Sequence, residues 1–588
     1  MFLRCTSRKK DGKEHHYWNV VENRRVSGGR VVQRQVLYLG EINDSQREAW
    51  RKTIEVFEDG RPSARTMALF PEDRPLEIDD DVVVTVRLKE VELRRPRQWG
   101  ACWLACTLYE QLGLDTFWSE RLPASRKGTR WDLTLQALCC YRLLDPGSEW
   151  RMHRHWYATS AMADLLGSGF ELAEIHKLYA CLDRLLVHKR TLFDHLTRRW
   201  QDLFNAKFDV LLYDLTSTYF ESDPPFPDDD KRKHGYSRDK RPDCVQVVIA
   251  LIVTPEGFPL AYEVMAGNTA DTATLRGFLH KIEEQYGKAE RIWVMDRGIP
   301  TEAVLKEMRG ADPTVFYLVG TPKGRLTRYE KALADLPWQK VRDGVEVKLL
   351  PQDHEVYILA RSEDRIHKER SMRKRQLKRL WKRLNELEGM ELTRDELLLK
   401  LGAARSQSPS AWRLVEITLP EGDRAFRFSL RKDRLKKVRG REGRYLLRTN
   451  LVGRDPAEMW EFYTQLTHVE EAFKDLKEDL ALRPIHHQKE VRIEAHIFVA
   501  FMAYTLQVTL RRRLRDLAPG LTTRSVLEKF KTVQMIDVHL PTTDGRRVIM
   551  SRYTQPEPEL QILLKQLRLF FPKQPLPRMT VNTPPSQM

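Results

Sequence analysis

Only seven cysteines are spread through the 588 residues. Cys102 and Cys106 are separated by three residues and Cys139 adjoins Cys140, so there is neither CxxC zinc spacing nor an even disulfide framework. Reduced, mostly buried thiols in a cytosolic protein are the expectation. Long apolar runs are also missing. The longest, Ile497 to Leu510, is interrupted by Gln507 and falls short of the roughly 20 residues a membrane span needs, so it reads as a buried helix. The opening residues, MFLRCTSRKKDGKEHH, lack the apolar stretch of a signal peptide. A cytoplasmic protein without a membrane partner is expected.

Acidic charge is the other shortage. Against 100 Lys and Arg stand 83 Asp and Glu, giving a net charge of +17 and a pI near 9.4. That balance suits a polyanionic partner, nucleic acid first. With 41% hydrophobic and 31% charged residues the chain is globular rather than disordered. Its length exceeds what one core organises, so about three or four domains are expected.

Residues 1–60 alternate polar and apolar around Ser27-Gly28-Gly29, a hairpin signal, and an acidic, Pro-containing linker from Phe70 to Asp81 completes a first unit of residues 1–95. Residues 96–205 turn helical, as in Leu104-Leu108-Leu112, and are an all-helical domain that can bind DNA although no helix-turn-helix signature stands out. Residues 206–320 run strand (Phe208–Tyr213), strand (Val245–Val253), strand (Leu260–Val264), helix (about Thr272–Tyr286), strand (Arg291–Met295), helix (near Thr301–Met308) and strand (Val315–Val319). A meander followed by helix-crossed strands is the order of an RNase H-like mixed sheet. Residues 321–455 read as a β-rich insertion carrying a basic helical arm, Arg365–Leu387. Within it, Arg373, Lys374, Arg375, Lys378 and Arg379 gather without an acid among them. A solvated face is the ordinary meaning of such a run, but this many unpaired cations on one helix favour a nearby polyanion. Residues 456–515 return to the core, and 516–588 form a C-terminal extension. The fold class is therefore α+β and multidomain, with the RNase H-like core preceded by the helical domain and the small β unit.

Two of these strands run into an aspartate, Asp214 and Asp296. Each alone is ordinarily a turn or cap residue. Together, on the first and fourth strands of this order, they come from adjacent strands and can share a metal ion. A third carboxylate is expected on the helix EFYTQLTHVEEAFKDLKEDL. There Tyr463, Leu466, Glu470, Phe473 and Lys477 form one stripe at spacings of three and four, whereas Glu471 lies about 100° away on the face that water covers. Periodicity leaves a second meaning for Glu470, a boundary residue paired with Lys474 or Lys477.

The spacing Tyr463-(2)-Leu466-(3)-Glu470-(6)-Lys477 resembles the Y-x2-R-x3-E-x6-K signature of the DDE transposases of bacterial insertion sequences. Tyr213-Asp214-Leu215-Thr216-Ser217, Gly235-Tyr236-Ser237-Arg238-Asp239, Gly267-Asn268-Thr269 with Asp271, and Met295-Asp296-Arg297-Gly298 look like the same group, so the likeness covers about 206–510. It departs at Leu466, where the signature has arginine and a phosphate contact is missing or supplied elsewhere. The resemblance implies that Asp214, Asp296 and Glu470 are catalytic and hold Mg²⁺ or Mn²⁺, two ions, for phosphoryl transfer. It implies further that Lys477 and Tyr463, joined by Lys474 and the cations of the arm, contact DNA. The partners implied are the double-stranded inverted repeats of the element's ends and a target duplex, met by a homodimer. A nuclease or resolvase of the same sheet type, and a DNA-binding derivative without catalysis, are the alternatives; a metal-free glycosidase with paired carboxylates leaves the basic charge without a purpose.

Overall fold

The computed structural model describes residues 2–581 apart from 11–12, 26–30, 44–45, 48–49, 51–83, 222–226, 228, 322–327, 330, 334 and 420–425. The turn at Ser27-Gly28-Gly29 and the acidic linker lie outside the described residues.

Three antiparallel strands, β1 (Phe2–Lys10), β2 (Lys13–Arg25) and β3 (Val31–Gly40), form the N-terminal sheet, with Val20, Leu37 and Leu39 buried. The Trp50 indole N–H donates to the Pro519 carbonyl at 2.6 Å and anchors this unit to the far end of the chain. Next comes β4 (Glu92–Gln98), then a run of helices to Phe204 that includes α1 (Gly100–Gln111) and α2 (Trp131–Leu144). Nearly every residue of α2 is buried, so this helix is apolar all round rather than on one face.

The core follows the expected element order. Strands β5 (Val210–Phe220), β6 (Val245–Val253) and β7 (Pro259–Ala266) form the antiparallel meander. Helix α3 (Leu275–Tyr286) leads to β8 (Ile292–Met295), and α4 (Glu302–Gly310), capped by Thr301, leads to β9 (Phe316–Gly320). Both β8 and β9 run parallel to β5, in the spatial order β9-β8-β5-β6-β7. One boundary differs from the expectation of a strand ending at Tyr213: β5 continues to Phe220, because β6 goes on pairing with it as far as Phe220 opposite Val245.

The expected separate β-rich insertion is corrected in part. Strands β10 (Gln339–Arg342), β11 (Val345–Gln352), β12 (Glu355–Ser362) and β15 (Arg444–Thr449) belong to the main sheet, which has nine strands ordered β10-β11-β12-β15-β9-β8-β5-β6-β7. The reason is that β9 would otherwise leave a row of unpaired backbone groups at the sheet edge, and β15 takes that edge in antiparallel register, Thr449 opposite Leu318. What stands apart is mainly helical: α5 (Glu363–Glu388), the further helices Arg394–Gln407, Pro409–Trp412 and Lys432–Gly440, and the pair β13 (Val415–Thr418) and β14 (Arg427–Leu430), with a small core of Leu380, Leu384, Leu397 and Phe426.

After α6 (Pro456–Thr464) and α7 (Leu466–Lys474), the helix α8 (Glu490–Leu517) is long and apolar enough to cross a membrane by composition, yet 94% of its apolar window is buried inside the protein. It packs on α2, and its side chains join the helical region and one face of the main sheet in a single core. The C-terminal strands β16 (Gln534–Pro541), β17 (Arg546–Tyr553) and β18 (Arg578–Val581) form a sheet in the order β18-β17-β16-β4, in which β16 pairs with β4 and so joins the C-terminal region to the strand that precedes the helical region.

Candidate active site

Strand alternation decides where the aspartates face. In the parallel pairing of β5 with β8, Leu212 lies opposite Val294 and Tyr213 opposite Met295. Leu212 and Val294 point into the large core that also holds Val469, Ala472 and Phe473 of α7, whereas Tyr213 and Met295 point into the smaller core under α3 and α4. Two residues past Leu212 and Val294, Asp214 and Asp296 fall on the side of α7. β8 stops at Met295, so Asp214 has a strand neighbour on one flank only, Leu251 of β6.

Each aspartate is pinned by the amide that follows it. The Leu215 N–H donates to Asp214 Oδ1 at 2.8 Å and the Arg297 N–H to Asp296 Oδ1 at 2.7 Å. The second oxygen of each accepts no hydrogen bond among the described residues. After Asp296 the chain turns sharply, with Gly298 at φ +94°, a conformation that L side chains rarely adopt. Opposite, Gly320 of β9 leaves room that a Cβ would fill: it would stand 3.1 Å from the Tyr463 hydroxyl and 3.4 Å from Asp296 Oδ1. Tyr463 is half-buried, stacked on Tyr445 with ring centres 5.7 Å apart.

Helix α7 crosses β5 and β6 and carries Glu470. The expected single helix from Glu461 to Leu480 is broken: α6 ends at Thr464, α7 begins at Leu466, and residues Asp475–Asp479 widen into a π-helical turn. Glu470 forms no ion pair among the described residues, so the alternative of a partner at Lys474 or Lys477 is not met. Glu470 is exposed at the surface of α7, yet partial desolvation on its inner side, then the charge of Asp296, raises its carboxyl above the ordinary range, and Lys368 of α5 opposes this. Burial, together with the charges of Asp296 and Glu470, pushes Asp214 up to about 7 although the Leu215 amide and Arg238 favour its ionised form. Three acids therefore repel one another at one spot. Glu471 is held elsewhere, 3.7 Å from His468 and 3.8 Å from Arg511 of α8, and the His468 hydrogen bond lowers its carboxyl.

The cations expected at DNA are placed unequally. Lys477 Nζ lies 2.7 Å from Asp239 and its side chain is 10% exposed. Arg373 is buried and paired with Glu442, because it falls on the inner side of α5. Lys374, Arg375, Lys378, Arg379 and Lys474 are exposed. Leu466, at the position where the signature has arginine, is half-buried and packs against the large core.

Sequence reasoning gave no role to Arg238, Asp239, Lys368 or Arg483. Arg238 and Asp239 stand in a segment quoted for its likeness, but only the fold brings them to β5: the Arg238 N–H donates to Ser217 Oγ at 3.2 Å and its guanidinium to Asp271 at 2.6 Å. The grouping of Glu149, His487 and His496, whose ligand atoms lie within 4.8 Å, was also missed. Arg142 donates to His496 Nδ1 at 3.3 Å, so a buried guanidinium already faces this cluster, and burial pushes His496 down to about 4. It is a buried polar network between α2 and α8.

Residues 206–506 match the family described as Transposase DDE domain, and residues 3–65 match IS1634 family transposase, N-terminal domain. No curated protein matches. Among solved structures, a cryo-EM piggyBac transposase synaptic complex with hairpin DNA is 7% identical, covers 73% of this chain and 79% of its own, and has a TM-score of 0.36, too low to carry an argument.

Proposed function

This chain belongs to the DDE-domain transposases of insertion sequences, and from that premise we propose that it binds the inverted repeats at its element's ends, cuts them and joins the freed 3′-hydroxyls to target DNA. The observation that carries the proposal is the convergence of Asp214, Asp296 and Glu470 from a parallel strand pair and the helix laid across it.

The donor set fits divalent metal. Carboxylate oxygens are hard ligands of the kind Mg²⁺ and Mn²⁺ take, each aspartate keeps one oxygen without a hydrogen bond among the described residues, and burial with the adjoining acids lifts Asp214, a strain that a bound cation would relieve. Asp214, Asp296 and Glu470 would hold the ions, two in number. When bound, they supply Lewis acidity to the phosphate and a more acidic nucleophile.

The chain's own groups do the rest. The Leu215 and Arg297 amides fix the orientation of the two aspartates. Tyr463, set against Gly320, closes one side of the site. Lys368, whose charge reaches Glu470, offers a cation near the site, where the signature's arginine is replaced by Leu466. Lys374, Arg375, Lys378, Arg379 and Lys474 are exposed to contact backbone phosphates, which binds DNA without reading sequence. Arg373 is assigned to holding α5 on Glu442 instead.

The helical region from 96 to 205, the N-terminal sheet and the C-terminal extension are proposed as the parts that meet the element's ends, with two copies pairing two ends in the bacterial cytoplasm. The test is incubation with Mg²⁺ and a duplex copied from the DNA flanking the gene. Cleavage and joined product are expected; cleavage without any joined product reassigns the chain as a nuclease.

A further inference from the structure

Lys477 was expected to hold a DNA phosphate beside the carboxylates, and it is held in turn by Asp239. Arg483 donates to the same Asp239 Oδ1, so one cation within the π-helical turn and one just past it converge on one oxygen. Asp239 is 4% exposed, and its Oδ2 has no partner among the described residues. The next residue back, Arg238, ties this loop to β5 at Ser217, three positions past Asp214. A single carboxylate cannot neutralise two cations. The cluster therefore keeps a net positive charge at the rim of the carboxylate site, carried by side chains whose freedom has already been removed.

We propose that Asp239 is a positioning residue: it fixes Lys477 and Arg483 side by side as a clamp for one DNA phosphate next to Asp214, Asp296 and Glu470. The inference rests on the DNA reading above and adds to it the residue that organises the contact. Preorganisation is what the acid contributes, since ordering two long cationic side chains at the moment of binding would weaken the complex. The sign of the effect separates this role from simple masking. Removing a negative charge near DNA ought to strengthen binding if Asp239 merely cancels the cations; if it positions them, binding weakens.

The experiment measures affinity and its salt dependence for a duplex copied from the DNA flanking the gene. Lys477→Met is expected to weaken binding about tenfold and to lower the salt slope by about one phosphate. Asp239→Asn is expected to weaken it about as much, and the double variant to bind no more than a few-fold worse than the weaker single one, because both changes remove the same contact. Thermal unfolding of each variant is followed in parallel. Should Asp239→Asn unfold early, Lys477→Met and Arg483→Met carry the test without altering the buried acid: a shared clamp makes their combined loss smaller than the product of the two. Tighter binding by Asp239→Asn, or losses that multiply in both pairs, overturns the inference. A parent protein that binds no duplex at all overturns the DNA reading itself, a distinct outcome.

Discussion

Asp214 and Asp296 each stand one residue past the last rung of the parallel pairing between β5 and β8, where Tyr213 lies opposite Met295. They are neighbours by strand register rather than by loop conformation. Register is rigid, so the pair is set before any ligand arrives. Its cost appears in Asp214, whose carboxyl is lifted by burial and by the adjoining acids.

That cost gives a pH dependence. The folded-state value of Asp214 is about 7, well above the unfolded range near 4. Folding therefore takes up a proton between these limits, and the contribution is full below about pH 4 and lost as pH rises toward 7. In EDTA, Asp214→Asn is expected to melt higher than the parent at pH 8, by roughly a few degrees, with the advantage gone near pH 4. Mg²⁺ should raise the parent's melting temperature at pH 8 and leave the variant's nearly unchanged. Equal melting of the two proteins at pH 8 without metal contradicts this.

Gly320 is a second consequence of close approach. In Gly320→Ala the new methyl would press on the Tyr463 hydroxyl at 3.1 Å. Displacing groups beside the carboxylates proposed to hold metal by a fraction of an ångström is expected to lower cleavage about tenfold or more, with little loss of stability. Removing the hydroxyl relieves the crowding, so Gly320→Ala with Tyr463→Phe should cut better than Gly320→Ala alone. Rates for the three variants under saturating Mg²⁺ check this.

Much of this geometry was legible in the sequence, and the reasons are particular. The strand order was readable because β6 and β8 are short apolar runs bounded by turn residues, and Asp296 follows its strand directly. The length of β5 was not, since Asp214 interrupts its apolar pattern and only pairing with β6 carries the strand to Phe220. The insertion looked separate because a one-dimensional pattern does not say which edge a strand takes, and β15 pairs with β9 across more than a hundred residues. The break at Gln465 and the π-helical turn at Asp475–Asp479 left the three-and-four spacing intact on paper while altering where Lys477 points. Arg238 and Asp239 were quoted without a role, because their partners are Ser217, Asp271, Lys477 and Arg483, all distant in sequence.

The basic helix α5 carries one inward, paired cation and several exposed ones that are proposed to meet DNA. Arg373→Ala leaves the buried Glu442 with only Arg370, 3.5 Å away at the helix surface, so a loss of about 1–3 kcal/mol in stability is expected, with the salt slope of DNA binding little changed. Lys378→Ala and Arg379→Ala change exposed groups; stability should stay within about 0.5 kcal/mol, while each weakens DNA binding and lowers the salt slope by about one. Chemical denaturation and salt titrations measure the two effects separately. The assignment is reversed if Arg373 carries the salt slope and Lys378 the stability.

The central claim is that Asp214, Asp296 and Glu470 act together in metal-dependent DNA chemistry. The most direct measurement compares the parent with Asp214→Ala and Glu470→Gln on a duplex copied from the DNA flanking the gene, with Mg²⁺ and then with excess EDTA. Altering groups around metal ligands already costs about 10- to 100-fold, so loss of a ligand is expected to lower cleavage at least about a hundredfold. DNA binding should survive in both variants, and the parent should fall silent in EDTA. Cutting and joining by either variant at the parent's rate, or activity that persists in EDTA, would contradict the account.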